Sequence, residues 1–98
     1  MVNAKREQVV PGRFPLGSVC VTRGAAGTLD EDDIRRAVGR HAGRDWGDVC
    51  AADWDRNDRS VEEGCRLLSA YRSRAGIPFW VITEPDRSVT TVLLPEEY

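Results

Sequence analysis

The sequence predicts a single α+β domain in the order β-α-α-β-β-β, an antiparallel meander covered on one face by two helices. Three observations carry this reading. Residues 65–72, 78–84 and 89–94 are runs rich in β-branched and aromatic side chains, bounded by Gly, Pro and Asp. They are joined by Arg74-Ala75-Gly76 and Pro85-Asp86-Arg87-Ser88, connections too short for a parallel crossover, so neighbours in the meander must be antiparallel. Ahead of them, two stretches carry apolar residues at helical spacing.

The totals agree with this. A chain of 98 residues can bury one core without covalent staples. A hydrophobic fraction of 41% beside a charged fraction of 31% belongs to a folded chain and not to a disordered one. Net charge is −2 and the pI is near 5.4, which argues against a dedicated nucleic-acid coat. A local basic patch remains open, because 14 residues are Lys or Arg and all but Lys5 are Arg, the better bidentate ligand for oxyanions. There is no apolar run long enough to span a membrane and no apolar signal-peptide segment near Met1, so a cytoplasmic location is expected. Cys20, Cys50 and Cys65 are widely spaced, with no C-x-x-C and no Cys/His cluster. Reduced thiols are therefore expected, and neither a metal site nor a cofactor.

Taken in order, residues 1–13 read as a polar arm broken by Pro11-Gly12, and 14–98 as the domain proper. Phe14-Pro15-Leu16 is the first apolar anchor. Residues 16–22 alternate, with Val19 and Val21 on one side and Ser18 and Cys20 on the other, as a strand would. Arg23-Gly24-Ala25-Ala26-Gly27 reads as a flexible link, and it lacks the G-K-[ST] of a phosphate loop.

Thr28-Leu29-Asp30-Glu31 has capping-box form and predicts a helix over 29–42. Acids fill its first turn and Arg35, Arg36 and Arg40 follow, both favoured by the helix dipole. Ile34, Ala37, Val38 and His41 share one face. Asp45-Trp46-Gly47-Asp48 reads as a tight corner with the indole beneath it. A second helix over 49–63, with Asp48 as its N-cap, carries a narrow stripe of Cys50, Trp54, Asn57 and Val61 and stops at Gly64. In the meander, Leu67, Ser69 and Tyr71 oppose Leu68, Ala70 and Arg72; Phe79, Val81 and Thr83 oppose Trp80, Ile82 and Glu84; Val89, Thr91 and Leu93 oppose Thr90, Val92 and Leu94. Both faces of the last two strands are apolar, so one meets the helices and the other is partly covered or forms a contact surface.

Few groups suggest chemistry. His41 is the only histidine, fit either for general acid–base work or for a hydrogen-bonded place at the edge of a helix face. Thr83, Glu84, Arg87 and Thr91 gather around the second hairpin. A histidine facing Arg, Thr and Glu on an antiparallel sheet is the layout of metal-independent ribonucleases, although Pro85-Asp86-Arg87-Ser88 reads equally as an ordinary turn. Tyr71 and Trp80, beside Arg72 and Arg74, suit base stacking, a protein contact or the core. The acids from Asp45 to Asp58 lack the spacing of a Ca²⁺ loop.

Two pieces, G-x-D-W-G-D at 43–48 and W-V-I-T-E-x-D-R-S-x-T-T-x-L-L-P at 80–95, carry a resemblance over about residues 14–98. The chain resembles a group of small bacterial proteins found on plasmids and other mobile elements, some of them linked to restriction-modification loci. That implies a genomic setting without a mechanism. No methyltransferase motif is present.

The leading expectation is a small macromolecule-binding module of a mobile genetic element that interferes with host defence, its contact surface formed by Tyr71, Arg72, Trp80 and Arg87 against a protein or RNA partner. The alternative is a toxin-type ribonuclease with His41 as acid and base, Arg87 on phosphate, and Thr83, Glu84 and Thr91 assisting. Nothing in the sequence assigns an oligomeric state.

Overall fold

The computed structural model describes residues 14–98, so the arm read over 1–13 lies outside the described residues. The chain is α+β as expected. It runs β1 (Ser18–Val21), α1 (Arg23–Thr28), α2 (Glu31–Ala42), α3 (Ala51–Glu63), β2 (Leu67–Arg72), β3 (Pro78–Thr83) and β4 (Val89–Leu93), and ends in a 3₁₀ turn, Pro95–Glu97. None of these helices is long and apolar enough to cross a membrane.

The meander β2-β3-β4 forms as expected, with Ser69 opposite Val81 and Val81 opposite Val92. β1 adds to it in parallel beside β4, giving one mixed sheet in the order β1-β4-β3-β2. The parallel pairing is available because three helices and two strands separate β1 from β4, far more chain than a crossover requires.

The strands are one to three residues shorter than the sequence reading, and the helices start differently. The stretch read as a link is the short helix α1, capped by the Thr22 hydroxyl, which accepts from Ala25 N. Glu97 then ties α1 to the far end of the chain, accepting from the Thr22 hydroxyl at 2.6 Å and from Gly24 N at 3.0 Å. Thr28 is thus the last residue of α1 and not the cap of the next helix. Asp30 caps α2 instead, accepting from Asp32 N at 2.8 Å, a bond typically worth about 1 kcal/mol. Likewise α3 starts at Ala51 behind Cys50, so Asp48 is not its cap; the Asp48 N–H is spent on Ala70 O in the corner. Its stop at Gly64 holds, in a left-handed conformation with φ 74°.

The helix-facing side of the sheet is buried in two apolar clusters. One joins Ala25, Leu29 and Ala37 to Tyr71, Phe79, Val81, Val92 and Leu94; the other joins Phe14, Trp46 and Leu67, with Trp54 and Val61 of α3 against them. Each fully buried large apolar side chain contributes about 2 kcal/mol. The other side of the sheet meets no helix. Ile82 and Leu93 are buried there all the same, and Tyr98 sets its ring edge-on to Trp80 at 5.6 Å.

The two sheet edges are unlike. β2 is sealed. Gly47 bridges to Ala70, Ala70 N donates to Trp46 O at 3.1 Å, and Asp48 N donates to Ala70 O at 2.7 Å. Beside this, the buried Asn57 amide imitates a strand, donating to Leu68 O at 2.9 Å and accepting from Leu68 N at 3.4 Å. Gly47 is required at the bridge: its φ is 77°, and a Cβ there would stand 2.1 Å from Ala70 O. β1, by contrast, is exposed at every residue.

Candidate functional site

His41 arrives from the buried face of α2 and meets the sheet where the two apolar clusters join. Its side chain is wholly buried, between the rings of Phe14 and Trp46 at 5.3 and 5.4 Å. Both ring nitrogens are engaged, Nδ1 with the Ser69 hydroxyl at 2.6 Å and Nε2 with the Thr83 hydroxyl at 2.8 Å. Thr83 in turn meets Thr90 at 2.7 Å, and the Thr90 hydroxyl donates to Leu16 O at 2.7 Å.

The end of this chain fixes the direction of every proton in it. Leu16 O can only accept, so Thr90 spends its proton there. Thr83 must then donate to Thr90 and accept from His41, which puts the imidazole proton on Nε2. With the ring neutral, Nδ1 accepts from Ser69. Burial lowers the imidazole pKa to about 3, and the nearby Arg87 charge acts in the same direction. His41 is therefore a neutral core residue, with no nitrogen facing solvent.

Arg87 is equally committed. It occupies the left-handed region at φ 62°, and its guanidinium spans three backbone carbonyls: Cys65 O at 2.6 Å, Ser60 O at 2.7 Å and Glu84 O at 3.1 Å. It thereby fastens the end of α3 and the start of β2 to the β3–β4 hairpin. Its charge also lies 5.8 Å from the centroid of the Phe14 ring. Of the other residues expected to assist catalysis, Thr83 is fully buried in the hydroxyl chain, Glu84 is paired with Arg66 at 3.2 Å, and Thr91 points to the opposite face of the sheet. The structure brings His41, Thr83 and Arg87 close together, but as an internal brace. Of the expected ribonuclease constellation, His41 and Thr83 are closed off from solvent, and the partly exposed Glu84 carboxylate is paired with Arg66.

The expected contact residues do not share one face either. Trp80 lies under Tyr98 on the side without helices, and Arg87 is the clamp just described. Tyr71 and Arg72, however, border one recess of about 280 Å³ between α2 and the β2–β3 hairpin, with Arg36, Arg40, Arg74 and Asp33 around it. The Tyr71 ring is buried and its hydroxyl donates to Asp45 O at 2.6 Å; burial raises its pKa to about 12, so it stays neutral.

Four arginines border this recess, and they divide into two kinds. Arg40 grips Asp45 through Nε at 2.8 Å and Nη2 at 3.2 Å and lies over the Tyr71 ring at 4.6 Å. Its hydrogen bonds hold the Asp45 carboxyl below the usual carboxylate range. Arg74 is matched by Asp33 at 2.8 Å and Asp30 at 3.4 Å. Arg72 donates only to Gly76 O at 3.2 Å, and Arg36 has no hydrogen-bond or ion-pair partner among the described residues. Two of the arginines that border the recess thus have no ion pair among the described residues. That arrangement suits an incoming oxyanion, which a guanidinium meets with paired donors.

Sequence reasoning placed Tyr71 and Arg72 in a contact surface and missed Arg36 and Arg40. Their signal was present in the spacing: Arg36 and Arg40 stand four residues apart and so share one face of α2. Comparison with protein-family models, with curated proteins and with solved structures finds no match to this chain.

Proposed function

We propose that this protein is a small macromolecule-binding module whose contact is the arginine recess, and that it takes an acidic segment of a protein partner there. The observation that carries the reading is the pair Arg36 and Arg72, two arginines at the border of the recess with no ion pair among the described residues. A protein partner is favoured over a nucleic acid by charge. An extended phosphate backbone needs a continuous basic track, whereas this chain carries a net charge of −2 and concentrates its surplus in one small recess. The mobile-element setting implied by the resemblance fits a module that interferes with a host factor.

The test is capture from host lysate with cross-linking, using the full chain and its Arg36→Glu/Arg72→Glu form in parallel. A partner held by the first and lost by the second supports the reading. Equal capture by both removes the recess from it. Cleavage of RNA by the purified protein, abolished by His41→Ala in a form that still folds, would restore the nuclease alternative.

A further inference from the structure

We propose that β1 is the seam of a twofold dimer, in which two copies pair antiparallel through Ser18–Val21 with Cys20 facing Cys20 of the second copy. The inference is independent of the arginine recess.

It starts from the hydrogen-bond ladder. Ser18 N donates to Ser88 O and Thr22 N to Val92 O, so Ser18, Cys20 and Thr22 spend their backbone groups on β4. In a parallel ladder the alternate residues point away. The N–H and C=O groups of Val19 and Val21 therefore face outward along an edge that no described element covers. The side chains agree: Val19 is 47% exposed and Val21 39%, both unusual for large apolar residues in this chain. A shallow groove of about 310 Å³, lined by the apolar Val21, Ala26, Leu29 and Ile34 and by Glu31, opens beside them. Residues 18–22 carry no charge and no proline, the devices by which sheet edges commonly repel another strand.

The occupant follows from symmetry and register. Among the described residues the sheet has one open edge only, since β2 is sealed by Asn57 and the 46–48 corner. Two copies that pair open edge to open edge close into a dimer and leave nothing to extend. Outward groups must meet outward groups, which allows a dyad on Val19, on Cys20 or on Val21. A dyad on Val19 would require Gly17 to pair, but Gly17 has φ 67° and is not extended. A dyad on Val21 would require residue 23, which is already in α1. The dyad on Cys20 uses Thr22, which is extended at φ −66° and ψ 161°. Val19 then exchanges two hydrogen bonds with Val21 of the second copy, and the converse. Cys20 meets its equivalent at a non-hydrogen-bonded site, where Cα atoms lie about 4.5 Å apart, inside the disulfide range of about 4.4–6.8 Å. A seam of four residues a side makes a small interface, so association is expected at about 0.1–1 mM.

The full chain carrying Cys50→Ser and Cys65→Ser keeps Cys20 as its only thiol. Diamide takes two electrons and two protons from a thiol pair, leaving a disulfide and a reduced hydrazine. A covalent dimer should form in this protein at least about tenfold faster than in a control that keeps only the exposed Cys65, and Val19→Pro should remove the advantage. Val19→Pro deletes an outward N–H and leaves the β4 bonds in place. On the unaltered reduced protein, amide exchange at Val19 and Val21 should slow as concentration rises towards about 1 mM, with a rising sedimentation mass. Cross-linking no faster than the Cys65 control overturns the proposal. So does a chain that stays monomeric throughout, including one whose edge takes a strand from a different protein.

Discussion

His41 Nε2 and the Thr83 hydroxyl lie 2.8 Å apart, and solvent reaches neither side chain. The contact turns what reads as a catalytic pair into a brace between α2 and β3. Because the chain of protons ends on a backbone carbonyl, the brace needs the imidazole neutral and in one tautomer.

Stability should therefore fall in mild acid. The imidazole of the unfolded chain takes up its proton near pH 6.5, while the folded one does so only near 3. Between those values the unfolded state binds more protons, so the His41 contribution is complete above 6.5 and declines as pH drops, by up to about 1.4 kcal/mol per pH unit. Urea unfolding followed at several values from pH 7 to pH 4.5 measures the slope. His41→Gln should lie about 3 kcal/mol lower at neutral pH and show a flatter profile over this interval.

Arg87 should prove a stability residue. Arg87→Ala leaves Ser60 O and Cys65 O without their charged donor and should cost about 2–3 kcal/mol. Arg87→Lys keeps the charge but loses the planar fork, and is expected to recover less than about half of that. Thermal unfolding of the three proteins checks the order.

The sealed edge depends on two residues in different elements. Gly47→Ala forces a Cβ towards Ala70 O at a left-handed φ and should cost about 3 kcal/mol or more. Asn57→Ala should cost about 2 kcal/mol through the bare Leu68 carbonyl and should raise amide exchange at Leu68. In native gels, either variant should smear to assemblies larger than a dimer as concentration rises, because a second sheet edge is then open.

Much of this fold was legible because its signals are local. The strand patterns, the Gly64 stop and the buried face of Ile34, Ala37, Val38 and His41 follow from spacing alone. The features that were not legible depend on distant partners. Arg23-Gly24-Ala25-Ala26-Gly27 carries two glycines and a poor helical pattern, and becomes α1 with Glu97 capping its start from across the sequence. Asn57 falls on the narrow stripe of α3 by spacing, but only the tertiary arrangement sets its amide against Leu68. Arg87 sits where a turn residue belongs, and only the tertiary arrangement aims its guanidinium at Ser60 and Cys65. The recess was half legible: Tyr71 and Arg72 stood out as an aromatic beside a cation, whereas the role of Arg36 rests on its having no ion pair among the described residues.

The central claim is that Arg36 and Arg72 form an anion-accepting contact without holding up the fold. Substituting both with Glu should change stability by no more than about 0.5 kcal/mol each. The most direct measurement is a nitrogen-15 amide titration of the full chain with a glutamate-rich peptide, repeated with a single-stranded RNA of equal charge. We expect the peptide to shift amides around Arg36, Ala37, Arg72 and Ser73, weakly and saturably, and the shifts to vanish in Arg36→Glu/Arg72→Glu. Shifts that avoid these positions, or that persist after charge reversal, would contradict the account.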